Sequence, residues 1–308
     1  MFTIALSNVL LTLCYMLPAY LLCKCKKVVA EHLSSLSALL VYVGSPCLAL
    51  SSLLAQTYTR ELVVEMLLFF AATLLLQIAF LGLGYLLLRR RYTDAKWRIL
   101  NVGSLMGNVG FFGLPMVRAI LPNNPEVMCF SAIFSVSMNV ISFTVAIYCL
   151  TGEKKYITPR AALLNPPSIA SMLAILLVGF GVASHLPVMV TDAVTLLGRM
   201  TTPLCMFILG IRLATVPLGE LFTNKFAYLV SAAKLLVFPL FCYAAVVFLP
   251  LSFAFKASML ILSATPCASM ILNLAELHHS AEAGFCANCV LLSTLLCSIT
   301  LPILALLL

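Results

Sequence analysis

Gly107-Asn108-Val109-Gly110-Phe111-Phe112-Gly113-Leu114-Pro115 is the stretch on which the fold turns. It sits inside an apolar run of roughly 20 residues, the length that crosses a bilayer core. Yet three glycines and a proline in nine residues oppose a continuous helix. Each glycine lowers helix propensity by about 1 kcal/mol relative to alanine. Proline removes a backbone donor and its ring collides with the preceding turn. In hydrocarbon the freed backbone groups must be satisfied by protein or by cavity water. A break here is therefore expected where the chain lines something. The plainer alternative is a kinked helix whose glycines allow close packing.

A second such place lies in the other half of the chain, at Ser263-Ala264-Thr265-Pro266. Thr followed by Pro is a helix-start signature, a capping hydroxyl before a residue with preset φ. It predicts a half-helix beginning at Pro266. Ser45-Pro46 and Thr202-Pro203 form another matched pair, and Pro46 and Pro203 are expected to mark helix breaks, as Gly107 does. Pro46 and Pro203 are 157 residues apart, and Pro115 and Pro266 are 151 apart.

Outward from these marks the chain is apolar throughout. Of its 308 residues 63% are hydrophobic and 9% charged, against about 25% charged in soluble domains. Ten spans are read, at about 3–23, 33–55, 62–88, 98–121, 127–150, 167–185, 192–214, 226–249, 255–277 and 282–307. The first run is not a secretory signal, because its basic residues, Lys24, Lys26 and Lys27, follow it. The division is a first five-helix repeat over 1–150, a short cytoplasmic linker over 151–166, and a second five-helix repeat over 167–308. Five spans per half is odd, so the second half enters the membrane from the opposite side. This inverted repeat is common in secondary transporters.

The net charge of +8 does not point to nucleic acid. With the loop after the first span taken as cytoplasmic, thirteen of the eighteen basic residues fall in cytoplasmic loops. That is the bias that fixes orientation, and it places both termini outside. Arg118 and Arg199 are read as snorkelling to the membrane edge. All ten acidic residues lie in loops or near span ends, which weakens a carboxylate proton relay. Lys234 sits about midway along the eighth span. It is either a functional cation or a structural tie to a neighbour's carbonyls.

Twelve scattered cysteines are read as small buried hydrophobes. The four histidines lie at membrane edges, and neither HExxH nor GxSxG occurs. No enzyme constellation, cofactor site or metal site is expected.

If the fourth and ninth spans cross at their breaks, the N-termini of both second half-helices converge. Each carries free amides and about half a positive charge, which favours an anion. The candidate substrate-binding residues are Asn108, Gly110, Phe111, Gly113, Pro115, Ser263, Thr265, Pro266 and Lys234.

The chain resembles the auxin efflux carrier family in its short bacterial form. The resemblance rests on Gly107 to Pro115, Asn165-Pro166-Pro167, Leu209-Gly210-Ile211-Arg212-Leu213, and a basic residue five before Pro239. It continues through Pro266, Leu274-Ala275-Glu276, and Ser293-Thr294-Leu295 with Thr300-Leu301-Pro302. The resemblance implies an all-α, ten-helix, inverted-repeat carrier in the plasma membrane, with helices four and nine broken and crossing near the substrate. It implies a small organic anion as substrate, such as a mono- or dicarboxylate. Spans one, two, six and seven would form the scaffold of a homodimer. The wider architecture is similar to that of bile acid/sodium symporters, so coupling to Na⁺ or H⁺ is the alternative reading. Lys234 departs from the arginine expected at its position, and lysine is the poorer bidentate partner for a carboxylate.

Overall fold

The computed structural model describes residues 2–54, 58–158, 160, 164, 166–180, 182–216, 218–278 and 280–308. Asn165, at the opening of the sixth predicted span, lies outside them. The described chain is helical, and its only β-type pairing is a single antiparallel bridge between Gly107 and Cys267.

Among the described residues seven helices are each long and apolar enough to cross a membrane. They are α1 (Phe2–Lys24), α2 (His32–Leu54), α3 (Arg60–Arg91), α6 (Val127–Thr151), α8 (Val188–Thr215), α9 (Lys225–Val246) and α12 (Ala283–Leu307). Between them lie α4 (Ala95–Gly103), α5 (Val109–Ile120), α7 (Pro166–Gly179), α10 (Phe253–Ser263) and α11 (Ser269–Leu277). The stretches read as the fourth and ninth spans are thus two shorter helices each, α4 with α5 and α10 with α11. The sixth is the short α7, followed by a 3₁₀ turn at Val182–His185.

The prolines act differently from the sequence expectation. Pro46 does not break α2. It follows a π-turn, Leu40–Gly44, and the helix runs on to Leu54. The same device precedes Pro115, after Val109–Gly113, and Pro239, after Ala233–Val237. In each case an amide donates five residues back: Ser45 to Leu40, Leu114 to Val109 and Phe238 to Ala233. Proline cannot supply the usual fourth-residue bond and crowds the carbonyl it would have met. The wider turn re-pairs the helix around it. Pro203 does not break α8 at its own position either. It lies at the third residue of Thr201–Thr215, after a single turn residue, Met200. First-turn amides have no intrahelical acceptor, so a proline there forfeits no bond.

The helices pack in two sets. In one, the Met16–Lys24 half of α1 lies against the Thr201–Thr215 half of α8, α7 lies against Ser45–Leu54 of α2, and α2 also meets Val188–Arg199 of α8. In the other, α3 packs on α6, α9 on α12 and on α10, and α5 and α11 on α6 and α12 respectively. The first half of α1 reaches α12, and α7 reaches α6, joining the two sets. Lipid-length helices expose large apolar side chains outward, Leu67, Leu75 and Leu86 of α3 among them. Arg118 and Arg199 are exposed, as a snorkelling side chain requires.

Candidate functional site

The two helix interruptions are of equal length. α4 stops at Gly103 and α5 starts at Val109; α10 stops at Ser263 and α11 starts at Ser269. Each leaves five residues outside the helices, 104–108 and 264–268. The two extended segments satisfy each other. The Asn108 amide donates to the Pro266 carbonyl at 2.8 Å, and the Ala268 amide donates to the Met106 carbonyl at 3.0 Å. Two breaks thereby close one another's orphan groups, as a low-dielectric interior demands.

Glycine is required where they touch. A Cβ on Gly107 would collide with the Thr265 hydroxyl and sit 3.1 Å from Lys234 Nζ. One on Gly113 would sit 2.8 Å from Thr265 Cγ2.

The start of the second half-helix moves relative to the sequence reading. α11 begins at Ser269, and Pro266 lies in the extended segment with its carbonyl turned to Asn108. Thr265 does not cap α11. Its hydroxyl donates back to the Leu262 carbonyl at 2.8 Å, closing the end of α10. Pro115 and Pro266 are therefore not equivalent positions: one is inside a helix, the other inside a break. The bridged residues Gly107 and Cys267 are the fourth residue of each break.

A cavity of about 80 Å³ lies against the first break, between the two packed sets. On the measure where one water needs about 10–15 Å³, it has room for several waters or a ligand of a few heavy atoms. Gly107, Asn108, Gly110 and Phe111 line it, with Ser269 and Met270 at the start of α11. α6 contributes Ser131, Ser135, Asn139 and Ser142, α2 contributes Ser45 and Ser52, and α7 contributes Ser171. No charged side chain is among its lining residues. The Ser135 and Ser142 hydroxyls donate to Ser131 and Met138 carbonyls of their own helix, both at 2.9 Å. Their oxygens remain acceptors, and a hydroxyl proton can rotate toward a ligand.

The first turn of α5 borders the same space. The Val109 amide donates to Gly107 O, and the Phe112 and Gly113 amides share Asn108 O. Gly110 and Phe111 belong to the same first turn, where a helix offers its own amides no acceptor. Thr202 Oγ1 of α8 donates to Phe111 O at 2.9 Å and fixes this turn from the opposite set. Asn108 Nδ2 reaches Cys205 Sγ at 3.6 Å, and Cys205 in turn meets Ser269 Oγ at 3.6 Å. The two helix starts are thus linked through one thiol.

Of the residues singled out by sequence, Asn108, Gly110, Phe111 and Gly107 meet at this cavity. Gly113, Pro115, Ser263, Thr265, Pro266 and Lys234 do not line it. Lys234 is fully buried, the sole buried charged side chain among the described residues. Its ammonium donates to the Ser263 carbonyl at the end of α10 and lies 5.0 Å from the Phe238 ring centroid. The serine row of α6 was missed by the sequence reading. Its signal was there: Ser131, Ser135 and Asn139 recur every four residues, which places them on one helix face. Among the described residues no cluster of three or more His, Cys, Asp or Glu could hold a metal.

Taken together, these features define a multi-pass helical membrane protein whose interior polar groups gather at a pair of mutually bonded helix breaks. The profile described as membrane transport protein matches residues 4–305. The chain belongs to that family, the auxin efflux carriers, and is a membrane transporter. It is also similar to an uncharacterized transporter of Methanothermobacter thermautotrophicus, 29% identical over 230 residues, which is 72% of each chain.

Proposed function

We propose that the protein is a secondary carrier that moves a small organic anion by alternating access at the paired breaks. One observation carries this reading. The cavity against the first break offers amides, hydroxyls and carboxamides, and no carboxylate that would repel an anion. Two helix starts border it, each with partial positive charge. Lys234 packs against Gly107, which lines the cavity, although Lys234 itself does not line it. Asn108 of the first break and Gly110 and Phe111 of the α5 turn that follows it are the ligand-facing residues, joined by Ser135, Asn139 and Ser269.

The cavity's position between two helix sets supports a motion of one set against the other. Two inverted repeats, 1–150 and 167–308 joined by 151–166, are supported by reciprocal packing. If α1 corresponds to α7 and α2 to α8, the α1–α8 contact is matched by α7–α2. On the same scheme α3–α6 is matched by α9–α12, and α3–α4 by α9–α10. Ten crossings then follow by counting α4 with α5, and α10 with α11, as one each. The set of α1, α2, α7 and α8 would be the scaffold and the face of a homodimer. The basic-loop bias supports a plasma-membrane protein with both termini outside.

The test is counterflow in proteoliposomes. Vesicles loaded with unlabelled malate, malonate or a monocarboxylate should take up labelled substrate faster than empty ones, with saturation. Failure of every small carboxylate to exchange would overturn the organic-anion reading.

A further inference from the structure

A helix that ends inside a membrane protein leaves carbonyls carrying about half a negative charge. In broken-helix carriers such C-terminal carbonyls are where a coupling Na⁺ or proton is held. The end of α10 is such a place. Its last carbonyl, Ser263 O, accepts from Lys234 Nζ. The carbonyl before it, Leu262 O, accepts from the Thr265 hydroxyl, and Leu260 O from the Ala264 amide. Lys234 extends from α9 across to this helix end and is completely buried. The one ion pair among the described residues is Lys155 with Glu153, far away in an exposed loop. Among the described residues no carboxylate therefore accounts for the lysine; the groups beside it include a helix-end carbonyl, the Phe238 ring, and the thiols of Cys242, Cys267 and Cys297. A structural tie alone could be made by a neutral donor. An ammonium is instead a monovalent cation delivered on a chain, at a site built from a helix-end carbonyl beside a hydroxyl.

We infer that Lys234 is a tethered cation: it occupies the position at the second break where a free monovalent coupling ion would sit, and it makes that break independent of Na⁺. The inference rests on reading the protein as a broken-helix carrier, and it sets aside Na⁺ coupling at this break.

The test is thermal unfolding of the purified, detergent-solubilised full chain in choline chloride, sodium chloride and methylammonium chloride at equal ionic strength. The wild type should melt at the same temperature in all three. Lys234→Ala should melt about 5 °C lower in choline, and sodium or methylammonium should recover at least half of that loss. Lys234→Arg, which keeps the charge, should remain indifferent to the salt. Should the alanine variant not fold in choline, expression and purification in methylammonium should recover it. A wild-type protein stabilised by sodium over choline would overturn the inference. So would a Lys234→Ala protein whose melting is the same in the three salts, or one that no salt recovers. None of these readouts involves transport, so failure of carboxylate exchange leaves this result standing and the reverse also holds.

Discussion

The two breaks have the same length and are bonded to each other, yet they are finished differently. The second is sealed by side chains from two helices. Lys234 of α9 holds Ser263 O, Ser293 Oγ of α12 accepts from the Cys267 amide at 3.0 Å, and Cys297 Sγ meets Ala264 O at 3.7 Å. Residues 264–268 are all buried, as are 104–108. The first break is finished more softly. The Gly107 amide meets the Met138 thioether at 3.2 Å, a weak acceptor, and the Asn108 carboxamide meets a thiol. Beside it the chain opens onto the serine-lined cavity. On the proposed function, the difference is a division of labour: one break anchors, the other presents ligand groups.

Substitutions can break or sharpen that contrast. The largest effect is expected where the breaks touch. Gly107→Val drives a branched side chain into Thr265 and Lys234, an overpacking worth about 1–3 kcal/mol, and should abolish counterflow while lowering the melting temperature. At the anchoring break, Ser293→Ala strands the buried Cys267 amide at a cost of about 1–3 kcal/mol. It should lower the melting temperature by several degrees and leave the apparent affinity for substrate unchanged. Asn108→Ala should do the opposite, weakening substrate affinity about 10-fold, or about 1.4 kcal/mol, with little change in melting. The smallest effect belongs to Ser135→Ala, which removes one of several hydroxyls and should raise the half-saturating concentration by about two- to threefold. If Asn108→Ala were to destabilise as much as Ser293→Ala while sparing affinity, the division of labour would fail.

Much of this was legible in the sequence because the interruptions are written in backbone chemistry. Gly107, Gly110, Gly113 and Pro266 are poor helix residues, and they mark both breaks to within a few positions. What sequence misplaced were consequences of three-dimensional pairing. Thr265-Pro266 reads as a helix start, but Pro266 O is taken by Asn108, so α11 starts only at Ser269. Pro46 and Pro115 read as breaks, but π-turns absorb them. The serines of α6 were legible as a four-residue repeat, although serines in an apolar helix also bond their own backbone. Lys234 could not be resolved from sequence, because midway along a helix the same side chain can reach a cavity or a neighbouring helix end. Only the position of α10 decides which.

The most direct test of the central claim fills the cavity without touching either break. Ser135→Phe places a ring in the space between α6 and the first break. Substrate counterflow should fall at least 10-fold while the melting temperature stays within a few degrees of wild type. A Ser135→Phe protein that exchanges carboxylates with wild-type rate and affinity would show that the substrate does not bind at this cavity, and would contradict the account.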